Sequence, residues 1–226
     1  MINTWPFTPI ENLLSVQRIP HKDSLLIAYF PMTGGHLLAN ILSCSEKYFG
    51  PDFFNKLDEI YSAEAPNIPK FAWRKAYEGK FHKNITAAHP RFFSFNEWLN
   101  FEKLIYIDWD LSNEKETKWL LFRRNFVESS GSDDNMVDAQ IKYEKELIRF
   151  LDEKNKNYFK FPHSAFLNGN KFTIEINKSL EFFNLNPLNK DRIYNVWKNW
   201  WKANHKMGAK SNQVGFNEIE EDINNW

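Results

Sequence analysis

Apolar residues in this chain recur at two spacings, and the change between them falls early. Leu25 to Phe30 form an unbroken apolar run, which predicts a buried strand. Leu37, Leu38, Ile41 and Leu42 then fall at helical spacing and predict a helix over 35–45. Between the two lie Pro31, Met32, Thr33, Gly34 and Gly35, a stretch that cannot continue the strand. Strand, tight glycine turn, helix is a way to build an anion site. Glycines let the backbone approach a phosphate closely, and a helix N-terminus offers N–H groups without helical partners.

The same reading carried along the chain predicts further elements. A short helix is expected over 53–61 and another over 71–79. A second strand covers 84–88 and stops at His89-Pro90, where proline discourages extension. A helical turn over 97–101 leads into a third strand over 104–107, bounded by Asp108-Trp109-Asp110. Trp119, Leu120, Phe122 and Phe126 give an apolar face to a helix over 113–127. Glu128 to Asp134 reads as a loop, 139–153 as a charged amphipathic helix and 158–162 as a last strand. Two amphipathic helices follow, over 171–183 and 191–205, the second carrying Val196, Trp197, Trp200 and Trp201. Strands alternating with helices predict an α/β fold, with a mainly parallel sheet flanked by helices. One domain over 1–226 is expected, with 1–24 and 209–226 peripheral. No internal repeat is present.

Composition narrows the function classes. Lys plus Arg equals Asp plus Glu at 29 each, so the formal net charge is zero. No global field draws in nucleic acid or an anionic membrane, and neither partner is expected. No apolar run reaches the roughly 18 residues of a membrane span. The opening residues lack the basic and apolar regions of a signal peptide. Cys44 is the single cysteine, which rules out an intrachain disulfide and favours a cytoplasmic setting; it reads as a packed core thiol. Aromatic residues make up 17% of the chain, with nine Trp. That content reads either as a core of large rings or as a stacking surface for a base or sugar.

Taken in order, four segments resemble the sulfotransferase family, whose P-loop fold binds 3′-phosphoadenosine 5′-phosphosulfate (PAPS). The family's first loop reads Pro-Lys-Ser/Thr-Gly-Thr-Thr. Here it is Pro31-Met32-Thr33-Gly34-Gly35-His36, so Met32 stands where the family has lysine. By resemblance, Thr33, Gly34, Gly35 and His36 would hold the phosphosulfate. The strand Asn84-Ile-Thr-Ala-Ala-His89 is similar to the family's second strand and puts His89 at the base position. A neutral imidazole suits removal of a proton from a hydroxyl acceptor, small-molecule or glycan. The other reading of His89 is a strand cap bonded to backbone. The family clamps the 3′-phosphate with an Arg after the third strand and a Ser eight residues on. Trp109 occupies the first position and Thr117 the second, with Arg123 and Arg124 nearby. His163-Ser-Ala-Phe166 and the helix ending Phe182-Phe-Asn-Leu185 resemble the passage from a late strand into a helix.

The resemblance implies a P-loop-like α/β fold, PAPS as cofactor, no metal, and His89 and His36 as catalytic residues. Two other readings remain. The loss of two cationic groups, at Met32 and Trp109, fits a relative that kept the fold and lost transfer, a binding or structural protein. Asp108-Trp109-Asp110 resembles the Asp-x-Asp of nucleotide-sugar transferases, where carboxylates hold a divalent cation against a diphosphate. His36, His89 and Asp108 would all sit at strand carboxyl ends, though nothing in their spacing requires a metal.

Overall fold

A computed structural model describes residues 25–28, 34–61, 85–88, 95–108 and 135–208 of the 226-residue chain. Its described elements are β1 (Leu25–Ala28), α1 (Gly35–Leu42), α2 (Phe53–Tyr61), β2 (Ile85–Ala88), α3 (Phe95–Asn100), β3 (Lys103–Asp108), α4 (Asn135–Glu153), β4 (Phe159–Pro162), a 3₁₀ segment (His163–Leu167), α5 (Gly169–Phe182) and α6 (Lys190–Gly208). The four strands form one sheet in the order β2-β1-β3-β4, and every pairing is parallel. The protein is therefore α/β with a parallel sheet flanked by helices. The predicted helix over 71–79, the helix over 113–127 and the loop over 128–134 lie outside the described residues.

The register explains why β1 reads as continuously apolar. Leu25 and Ile27 face one side with Ile105, Ile107 and Phe161. Leu26 and Ala28 face the other with Leu104 and Tyr106. Both sides are covered, so all four β1 residues are buried and no polar alternation survives. α1, α2, α5 and α6 cover the first face, and α3 and α4 the second. For the helices between strands, α1 to α4, this division follows from chain direction. β2 lies on one side of β1, while β3 and β4 lie on the other. Right-handed crossovers running in opposite directions must lay their helices on opposite faces.

Helix ends show which local signals act. Asn168 caps α5, its Oδ1 accepting from Lys171 N at 2.9 Å, and Asn189 Oδ1 accepts from Arg192 N at 3.0 Å at the start of α6. α4 and α5 both close with an asparagine in the left-handed region, Asn155 at φ 51° and Asn184 at φ 55°. In each case an amide reaches back across the turn, Lys156 N to Leu151 O at 2.9 Å and Leu185 N to Leu180 O at 2.8 Å. α1 ends at Leu42 rather than 45: Ser43 N still bonds Ala39 O at 3.0 Å as the C-cap, but Cys44 N and Ser45 N bond carbonyls only three residues back.

Candidate functional site

The chain reverses direction between β1 and β3, one connection leading to β2 and the other to β4. In an open parallel sheet such a switch point leaves a crevice beyond the strands' carboxyl ends. Ala28, Ala88 and Tyr106 stand level across β1, β2 and β3 there. Asp108 ends β3 and is exposed.

Gly34 sits at the amino end of α1 in the left-handed region, at φ 83° and ψ 11°. The first helical bond runs from Leu38 N to Gly34 O at 3.0 Å. The amides of Gly35, His36 and Leu37 precede it, so the helix supplies them no acceptor, and no acidic residue occupies the first turn. A turn of this kind can hold an anion through backbone N–H groups and the positive end of the helix dipole. Of the two glycines in the turn, Gly34 is the one at positive φ.

Glycine is required at position 34 for a second reason. A Cβ there would lie 2.5 Å from Phe166 Cε1 and 2.7 Å from Cδ1. Phe166 is buried in the 3₁₀ segment that follows β4. Its ring lies 5.3 Å from Phe161 and 5.0 Å from Phe172 by centroids. Its carbonyl accepts two indole hydrogen bonds from α6, Trp197 Nε1 at 2.9 Å and Trp201 Nε1 at 2.8 Å. The sequence marks His163-Ser-Ala-Phe166 only as a strand-to-helix passage. The signal that could have revealed its part is the pair Trp197 and Trp201, four residues apart, whose buried N–H groups need an acceptor.

His163 begins the 3₁₀ segment and is 1% exposed. Burial pushes its imidazole pKa down to about 3, so the ring is neutral across the physiological range. Its ring lies 5.7 Å from that of Phe166. Cys44 is buried and Sγ points at Asn40 O, 3.7 Å away. Burial pushes its thiol well above the ordinary range, which makes it a core group and no nucleophile, as its place in the sequence predicts. Nearby on α1, Asn40 Nδ2 donates to Tyr61 Oη at 2.7 Å, tying α1 to α2 inside the core.

Of the residues predicted for the site, the structure places Gly34 and Gly35 together at the turn and the backbone of His36 in the first turn of α1. The His36 side chain, Met32, Thr33, His89, Trp109, Asp110 and Thr117 lie outside what is described. Whether His36 and His89 face one crevice near Thr117 therefore lies outside it too. Among the described residues no group of three His, Cys, Asp or Glu is arranged to hold a metal, and no helix is long and apolar enough to cross a membrane. Among the described residues, Trp98, Trp197 and Trp201 are fully buried core rings. Comparison with protein-family models, with curated proteins and with solved structures finds no match for this chain.

Proposed function

We propose that this chain is a divergent sulfotransferase-like protein whose glycine turn takes the phosphosulfate of PAPS. The observation that carries the reading is Gly34. A left-handed glycine joins the region after a buried parallel strand to a helix N-terminus, at the sheet's switch point. The sequence resemblance asks for that geometry at that place. On this reading loop amides and His36 hold the phosphosulfate, Thr117 keeps one hydroxyl of the 3′-phosphate clamp, and His89 takes the proton from a hydroxyl acceptor. The setting is cytoplasmic, and the donor needs no metal.

Met32 favours a second reading. The family's lysine there neutralises charge on the leaving phosphate, and methionine supplies no such group. A protein that binds the nucleotide without transferring sulfuryl fits this position better than an efficient enzyme. Calorimetric titration with 3′-phosphoadenosine 5′-phosphate tests both readings at once. Saturable binding supports the fold's nucleotide site, and its absence removes PAPS from the account. If binding occurs, Met32→Lys separates enzyme from binder. One restored cation lowers the transfer barrier by about 3 kcal/mol, roughly a hundredfold in rate. A binder stays inert with either residue.

A further inference from the structure

The glycine turn rests on Phe166, and Phe166 is held from α6. We infer that Phe166, with the Trp197–Trp201 indole pair, is a positioning device that sets the glycine turn and couples α6 to the crevice beyond β1.

Three observations meet in this chain of contacts. First, the Phe166 ring fills the space where any side chain at position 34 would go. The turn has no clearance to move toward the 3₁₀ segment, and its left-handed geometry is braced from behind. Second, Phe166 cannot easily withdraw. Its carbonyl accepts from two buried indoles at 2.9 Å and 2.8 Å, and its ring is packed against Phe161, Phe172 and His163. One carbonyl oxygen has two lone pairs, so the pair of donors saturates it. Third, α6 is itself seated closely. A Cβ on Gly169 would lie 2.6 Å from the Tyr194 ring and 2.7 Å from that of Trp197, so α5 and α6 approach as only glycine allows. Displacing α6 therefore pulls on the Phe166 carbonyl, and the ring follows under Gly34. Packed interiors transmit such shifts because they hold no slack.

Hydrogen exchange of the wild-type chain and two variants tests the device. Trp201→Phe removes one indole donor with little loss of volume, and Phe166→Leu removes the brace. Expected is about tenfold faster exchange at the Leu38 and Ala39 amides in both, with the β3 amides slowed or hastened far less. Uniform acceleration across β3 and α1 shows general loosening and overturns the proposal, as does no change at Leu38. A double-mutant cycle guards against a variant that folds poorly. Gly34→Ala must cost less stability in the Phe166→Leu background than in the wild type, because only the strain of positive φ remains; equal costs overturn the brace. The consequence for ligand rests on the PAPS reading. Under it, Phe166→Leu also weakens binding of 3′-phosphoadenosine 5′-phosphate about tenfold. If neither protein binds that nucleotide while exchange at Leu38 responds as expected, the PAPS reading fails and the device stands. If the wild type binds and Phe166→Leu alters neither exchange nor affinity, the device fails and the PAPS reading stands.

Discussion

The two faces of the sheet are fastened by different chemistry. On the face covered by α1, α2, α5 and α6, the core hydrogen bonds that tie one element to another are between uncharged groups. Indole N–H groups meet a carbonyl, and an asparagine amide meets a tyrosine hydroxyl. On the face covered by α3 and α4, a charge does the fastening. Lys156 Nζ donates to Leu99 O at 3.2 Å and to Phe101 O, the carbonyls around the end of α3. A cation suits a helix carboxyl terminus, where carbonyls lack helical partners. The uncharged face also holds the brace under the glycine turn. What the difference teaches is that the candidate site leans on uncharged contacts that salt does not screen, while the charged fastening of Lys156 is spent on a short helix away from it.

The largest expected effect breaks the uncharged face. Trp201 is 1% exposed. Trp201→Ala removes the ring and one donor to the Phe166 carbonyl, and should lower stability by about 3–5 kcal/mol. Urea midpoints of wild type and variant measure it. A loss below about 1 kcal/mol would show that this face is not a tightly packed core.

Acid should attack the same face through His163. The folded imidazole binds its proton only near pH 3, against about 6.5 unfolded. Its contribution is therefore complete above pH 6.5 and is lost as pH falls toward 3, where the unfolded chain takes up a proton that the folded chain refuses. The slope approaches 1.4 kcal/mol per pH unit, or about 2 kcal/mol between pH 6.5 and 5. Urea midpoints at pH 7 and pH 5 should converge by that amount when His163→Gln replaces the wild type. An unchanged pH dependence would place the acid sensitivity elsewhere.

Lys156→Met tests the charged face. It strands two carbonyls, and about 1–3 kcal/mol should be lost. Burial also holds the Lys156 ammonium below the usual lysine range, with Glu102 pulling the other way. The folded chain then releases this proton before the unfolded chain does. Between the folded value and 10.5 this group makes stability rise with pH, opposite in sign to an exposed ion-paired lysine. Midpoints at pH 8 and pH 10 for both proteins read that sign; a fall with pH that disappears in Lys156→Met would reverse it.

How far the sequence could be read follows from which forces are local. β1, α2, β3, β4 and the two carboxyl-terminal helices lie within a few residues of where their apolar spacing puts them. Covering a strand on both faces, or a helix on one, leaves its mark in the pattern itself. Gly34 was legible because a glycine pair between a strand and a helix has few other uses. Phe166 was not. Its importance lies in touching a residue far away in the chain, and the carbonyl that pins it looks the same in every residue. Trp197 and Trp201 read as ordinary core rings for the same reason, since spacing reveals which residues are buried and not what their polar atoms meet.

The smallest expected effect lies at the rim of the uncharged face, where α6 meets α2. Arg192 Nη2 donates to Asp58 Oδ2 at 2.8 Å and to Asn55 Oδ1 at 3.1 Å, and its guanidinium lies over the Phe54 ring, 5.2 Å from the centroid. The two side chains of the ion pair are 37% and 43% exposed, so solvent screens much of their attraction. Arg192→Lys keeps the charge but loses the planar placement of Nη2 between its two acceptors and the flat face that stacks on a ring. A loss of about 0.5–1 kcal/mol is expected, and raising salt to 1 M should narrow the difference only in part, because stacking is less screened than charge. Urea midpoints at low and high salt decide it. A difference that vanishes in salt would mean that this rim is fastened by charge alone, and the contrast between the two faces would then stop short of α2.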